Sequence, residues 1–409
     1  MRAVGLRCAA AACAVVVLGA LLLPAPAAAQ AGRSLPAPPG TGDAGFRLGA
    51  PRLAPLPEAQ WTVAQRAAAE AYVRSGDAGN ALATMLRIPE LAESVHRFLD
   101  YTSRRSTLPA RDREILILRV AWLAQNAYLW ADHAPAAAAA GLTSADVRRI
   151  AVGPDAGEWD ARDAALLRFA DELFGNSSVT DATWDAVSVR YGLLNLADAV
   201  MTVAEFTTLS MLFNSLGVQP DAGAAQPLPA DVPYRLAPAD REPALTSPRI
   251  EPGEGPGLRV TRTIARHPEV AANWRGNTNY VNRLSPLTPH DRELLILRIG
   301  WNCQAEYEWA KHVGSVGRAR DHGLEPRRIA EGPEAAGWEP HEVALLEAAD
   351  ELYRNAIVSD ATWNTLSSRY DTHEMVSIVM TVATYRFVSM TLNAFGVQLR
   401  PDDEGFPTL

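Results

Sequence analysis

The second half of this 409-residue chain repeats its first half at a fixed offset of 179 positions, and no other feature restricts the fold as strongly. Asp112-Arg-Glu-Ile-Leu-Ile-Leu-Arg119 returns as Asp291-Arg-Glu-Leu-Leu-Ile-Leu-Arg298. The same offset carries Trp122, Tyr128, Trp130 and His133 to Trp301, Tyr307, Trp309 and His312. It carries Ala170-Asp-Glu-Leu173 to Ala349-Asp-Glu-Leu352, and Asp181-Ala-Thr-Trp184 to Asp360-Ala-Thr-Trp363. It also carries Met201-Thr-Val-Ala204 to Met380-Thr-Val-Ala383, and Gly217-Val-Gln219 to Gly396-Val-Gln398. Over residues 112–219, 49 of 108 positions are identical without a gap. A repeat of this length means two copies of one structural unit. We place the units at 51–219 and 235–400, joined by a Pro-rich linker at 220–234. Proline fixes the backbone there, so the linker reads as semi-rigid and exposed.

Each unit reads as a helical bundle. Leu116, Ile117, Val120 and Leu123 follow a helix spacing, and so do Leu295, Ile296 and Ile299. Thr288-Pro289 is a helix start, with a capping hydroxyl, proline in the first position and acids in the first turn. Thr180 and Ser359 read as further N-caps, and Gly217 and Gly396 as helix ends. No segment alternates with period two. The expected fold class is all-α, two tandem bundles.

The chain ends are expected to be different objects. Arg2 and Arg7 precede a 15-residue apolar run, Ala9–Leu23, which Pro24 ends and Ala27-Ala-Ala29 follows. That is the pattern of a secretory signal peptide, residues 1–29, and predicts a secreted or periplasmic protein. Residues 30–50 are rich in Pro, Gly and Ala and are expected to be disordered, and the acidic tail 401–409 to be loose. Cys8 and Cys13 lie in the leader, which leaves Cys303 with no disulfide partner, no CxxC pair and no cysteine-based metal site. The net charge of −9, with no basic run, argues against nucleic acid or an anionic membrane surface as partner. Lys311 is the chain's single lysine. No cofactor or metal is expected; the expected partner is a small-molecule substrate.

The residues that could carry chemistry are Glu293, Glu308 and His312. Glu308 and His312 are four apart, so a helix puts them on one face, where a carboxylate can orient and charge an imidazole. On one straight helix Glu293 would lie about 22 Å from Glu308. It joins them only if the helix breaks, and Gly300-Trp301-Asn302 reads as the break, with Asn302 capping a new helix. Cys303 would then sit in that helix's first turn, where partial positive charge lowers a thiol pKa. Trp301, Tyr307 and Trp309 are candidate pocket walls. Glu293 could also simply pair with Arg298. In the first copy Glu114 and His133 occupy the corresponding places, but Leu129 stands where the second has Glu308.

These motifs, in order and twice over, resemble the carboxymuconolactone decarboxylase family, which shares its fold with the alkyl hydroperoxidase D-like proteins. The resemblance spans roughly residues 85–219 and 262–398. It implies all-helical domains that assemble in threes or sixes, here a trimer of two-domain chains. The redox branch of that superfamily uses a Glu, a CxxC pair and a His as a proton relay. By that likeness the Glu and His fall on Glu293 and His312, and on Glu114 and His133. The two thiol positions fall on Ala305 and Glu308, and on Asn126 and Leu129, so both copies lack the thiols. The decarboxylase branch acts without them on a small lactone acid. Three readings follow: a cofactor-free acid/base enzyme, a lyase by resemblance, on a small organic acid or lactone; a peroxiredoxin-like antioxidant using Cys303; and a non-catalytic binding or assembly module.

Overall fold

The repeat is visible helix by helix in the computed structural model, which describes residues 47–73, 79–224, 226–234 and 244–409. The expected signal peptide, and the expected disordered segment as far as residue 46, lie outside them. The first half runs α1 (Val63–Val73), α2 (Asn80–Met85), α3 (Pro89–Asp100), α4 (Ala110–Leu123), α5 (Ala127–Ala139), α6 (Ser144–Val152), α7 (Ala161–Asn176), α8 (Asp181–Ser188) and α9 (Leu193–Leu216). The second runs α10 (Arg259–Ile264), α11 (Pro268–Asn273), α12 (Arg275–Asn279), α13 (Pro289–Asn302), α14 (Glu306–Val313), α15 (Pro326–Glu331), α16 (Pro340–Asn355), α17 (Asp360–Ser367) and α18 (Thr372–Phe395). The chain is all-helical: the described residues hold no β-strand. The sequence signals for helix ends hold. Thr288, Thr180 and Ser359 accept backbone N–H bonds as N-caps, and Gly217 and Gly396 close α9 and α18 at φ 72° and 67°.

Several of the repeated motifs build scaffold. Arg298 forks onto Asp350, with Nε–Oδ1 at 2.7 Å and Nη2–Oδ2 at 2.8 Å, and its Nη1 donates to the Ile329 and Ala330 carbonyls. Arg119 does the same with Asp171, Ile150 and Ala151. This ties α13 to α15 and α16, and α4 to α6 and α7. It also settles the partner of Arg298, which is Asp350 and not Glu293. A side chain at Gly332 or Gly153 would strike the guanidinium at 2.9 or 2.8 Å, and both glycines have φ near 100°. That accounts for the glycine kept at this place in both halves, Gly153 and Gly332.

The halves pack through α9 and α18, 24 residues each, which run along one another. Both are long and apolar enough to cross a membrane, but an 18-residue apolar stretch of each is wholly buried inside the body. Around them the contacts repeat with the halves exchanged. Asn214 Nδ2 donates to the Ala124 carbonyl in its own half and to that of Ala356 in the other. Asn393, its counterpart, donates to Cys303 and Ser177. Arg52 reaches across to Asp360 and lies over Trp363, while Arg249 reaches back to Asp181 and lies over Trp184. The two halves are therefore arranged as a pseudo-twofold pair.

Two segments expected to be loose, and a linker expected to be exposed, are tied down. Residues 47–50 belong to the body, where the Leu48 carbonyl accepts from Gln219. The 220–234 linker is a strap rather than a free spacer: Leu228 and Val232 are buried, and Tyr234 donates to the Leu123 carbonyl. The tail 401–409 lies on the second half, with Phe406 against Trp301 and Trp309 at ring distances of 5.0 and 5.5 Å. In the linker and the tail, apolar or aromatic residues within a Pro-rich or acidic stretch pack onto the body.

Gly276 marks the tightest crossing of α12 over α3, where an added Cβ would meet the Ser94 carbonyl oxygen at 2.8 Å. Gly276→Ala should lower stability by about 1–3 kcal/mol through overpacking. Gly175→Ala, near the end of α7 with open space around its Cβ, should not destabilise. Urea unfolding of the two variants separates a packing constraint from ordinary helix propensity.

Candidate active site

The corner between α13 and α14 builds the site. Helix α13 ends at Asn302, Cys303 is its C-cap, and Gln304 takes a left-handed turn at φ 52° before Ala305 opens α14. A non-glycine residue there costs roughly 1–2 kcal/mol. The first half does the same at Gln125, φ 51°. The break is real but lies beyond Gly300-Trp301-Asn302, all three of which are helical. Asn302 is not a cap; its amide donates to Asp350 Oδ1 at 2.7 Å. In the first half an asparagine cap does exist, three residues on from the position equivalent to Asn302, at Asn126, which accepts from the Leu129 N–H.

The reversal lays α14 back along α13, and Glu293 meets His312. Glu293 Oε2 lies 2.6 Å from His312 Nδ1, and Glu308 Oε1 lies 2.8 Å from Nε2. All three side chains are at least 93% buried, so the imidazole is clamped between two carboxylates away from bulk water. Burial opposes charging the ring. The two carboxylates outweigh it and push the His312 pKa up to about 10. Burial would raise Glu293, but the facing imidazolium holds it below the usual carboxylate range. At neutral pH the cluster is therefore an imidazolium whose two N–H groups each point at a carboxylate.

A cavity of about 580 Å³ opens against this cluster, with Glu308 and His312 in its wall. Tyr307 lines it, as expected from sequence. Trp301 and Trp309 do not. They are buried core residues, 5.6 Å apart and covered by Phe406. Tyr385 was not foreseen. Its ring meets the imidazole edge-on at 4.9 Å and its hydroxyl donates to Asn282 Oδ1 at 3.1 Å. Gly317 was not foreseen either, and a Cβ there would lie 2.1 Å from Glu293 Oε2 and 2.8 Å from His312 Nδ1. The bare glycine is what lets that bond form. No motif announced it, because the need comes from a close approach in space. Exposed Arg275 and Arg283 and buried Lys311 also line the cavity. Among the described residues no cluster of three or more His, Cys, Asp or Glu is placed to hold a metal ion.

The first half holds a reduced version. His133 Nδ1 lies 2.8 Å from Glu114, with Phe206 edge-on at 5.0 Å in the place of Tyr385. Leu129 stands in the place of Glu308, and the exposed Asp132 comes only to 3.8 Å from Nε2; burial opposes the rise of the His133 pKa, and Glu114, with a smaller push from Asp132, drives it. Cys303 is not in a helix N-terminal turn. It is a fully buried C-cap, and the Ser177 hydroxyl lies 3.3 Å from its sulfur.

The charge state has a direct readout. Since the folded pKa of His312 lies above the unfolded value, the pair's stabilisation is complete below about pH 6.5 and is lost as pH rises through about 10. Imidazole ¹⁵N shifts should show His312 still doubly protonated at pH 8; a neutral tautomer at that pH would contradict the clamp. Gly317→Ala should separate Glu293 from His312 and move that titration down, while leaving the helical content intact.

Comparison with known proteins bears on the first half. No curated protein matches the chain. Residues 89–172, which include Glu114 and His133, match the model of the carboxymuconolactone decarboxylase family.

Proposed function

We propose that the chain is a cofactor-free acid/base enzyme acting on a small organic acid or lactone, with its chemistry in the second half. The observation that carries this is the clamped His312 imidazolium in the wall of a 580 Å³ cavity. Such a pair stores a proton beside a carboxylate that faces the substrate space. His312 would pass its Nε2 proton to Glu308, and Glu308 would deliver it to the substrate. Glu293 would keep the ring oriented through Nδ1 and balance its charge. In a decarboxylation the C–C bond to the leaving CO₂ breaks, and the electron pair left on carbon takes that proton.

The cavity lining supports an acidic substrate. Among the described residues Arg275 and Arg283 have no ion-pair partner, and both line the cavity. An unpaired guanidinium is a ready bidentate site for a carboxylate. The family match over residues 89–172 supports the reaction class. The leader sequence extends the proposal to an exported protein, and the family likeness to a trimer of chains.

Two experiments test the reading on a panel of lactone and unsaturated carboxylic acids. His312→Gln should lower kcat by about 10²–10⁴ with the fold intact, whereas His133→Gln should cost much less. Equal losses in two folded variants would sink the assignment to the second half. Arg275→Ala with Arg283→Ala should raise KM about ten-fold or more with kcat little changed. An unchanged KM would remove the carboxylate from the proposal.

A further inference from the structure

The C-terminal tail places a carboxylate on a cation of the cavity wall. Lys311 projects from α14 one residue before His312, lines the same cavity and is buried, with its ammonium 5.3 Å from the centre of the Tyr307 ring. Its counter-ion comes from 92 residues further along the chain, the carboxylate of Asp403. Burial would raise that carboxyl, but the Lys311 ammonium holds it below the usual range. Three other contacts fix the tail in place. Glu404 pairs with both terminal nitrogens of Arg320, at 2.7 and 2.9 Å. The Phe406 N–H donates to Glu306 Oε1 at 3.2 Å, and its ring wedges against Trp301 and Trp309. The corresponding residue of the first half is Asp132, so the cation belongs to the second site alone.

We propose that Lys311 is a carboxylate subsite of the cavity, and that residues 401–409 are a tethered cover whose Asp403 occupies that subsite until a ligand's carboxylate replaces it. The inference rests on the reading that the cavity takes an organic acid. The exchange is nearly balanced in charge: one carboxylate leaves the ammonium as another arrives, so no buried cation is left bare at the end. Phe406 and Glu404 supply the anchoring that returns the tail when the ligand departs.

Lys311 is the only lysine, so an amine-reactive acetylating reagent reads this site alone apart from the chain's N-terminus. In the full chain, peptide mass spectrometry should show Lys311 acetylated about ten-fold or more faster in Asp403→Asn than in the natural sequence. Phe406→Ala should act in the same direction by loosening the anchor, and circular dichroism should show both variants folded. Succinate, as a plain dicarboxylate probe, should protect Lys311 in Asp403→Asn. In the natural sequence it should speed hydrogen exchange of residues 401–409. Equal labelling rates in all three folded proteins would overturn the cover. Faster labelling without protection by succinate would overturn the subsite, while the dependence of turnover on His312 would stand or fall separately.

Discussion

The left-handed turn at Gln304 is the constraint on which the site depends. Without it α13 and α14 would form one rod, and Glu293 would sit about 28 Å from His312, which lies 19 residues on. With it the two side chains touch at 2.6 Å. The turn costs local strain, and the structure over-determines it from several sides. The Ala305 N–H bonds back to the Gly300 carbonyl, the Cys303 carbonyl is held by Asn393, and Asn302 is tied to Asp350. The first half makes the same turn with Asn214 on the Ala124 carbonyl. The corner is thus a property of the repeat, and what differs between halves is what is mounted on it.

That difference is small in sequence and large in electrostatics. Glu308 for Leu129 and Tyr385 for Phe206 turn an imidazole with one close carboxylate, and an exposed Asp132 3.8 Å from its other nitrogen, into one gripped at both nitrogens by buried carboxylates. A buried imidazolium between two buried carboxylates carries a net negative charge, which the environment tolerates because a cation lies at its edge. Arg292 lies 3.5 Å from Glu293. The half that matches the family model is the half with the reduced site. Arg119, Asp171 and Gly153, which that match also spans, hold the bundle together. Likeness over those positions reports the scaffold, and the chemistry has to be argued from Glu293, Glu308 and His312 themselves.

Much of this was legible from residue order. The 179-residue offset predicts equivalent helices, and α4, α7, α8 and α9 recur at that offset with the same bounds in α13, α16, α17 and α18. Glu293, Glu308 and His312 could be named because spacing of four gives a shared face and a break restores the third member. The location of the break was misread by a few residues, since a glycine and an asparagine look like punctuation even when packing keeps them helical. Trp301 and Trp309 were misread as pocket walls because aromatic residues near a site are equally good core. The tail was misread as loose, and the semi-rigid linker as exposed, for the opposite reason. Neither composition carries a core signal, and a single Phe406 or Tyr234 finding a groove is invisible to composition. Gly317 and Tyr385 had no local signal at all, because their roles arise only when distant segments meet.

The central claim is that the second carboxylate makes the second half the reactive one. Glu308→Leu gives that half the first half's residue at the position that separates them, and its effect on His312 and on turnover can be measured in one folded protein. The account expects the His312 titration to fall from about 10 toward a lower value, and turnover of the organic acid to drop by at least about 10². A variant that loses the high titration and keeps its turnover would contradict it.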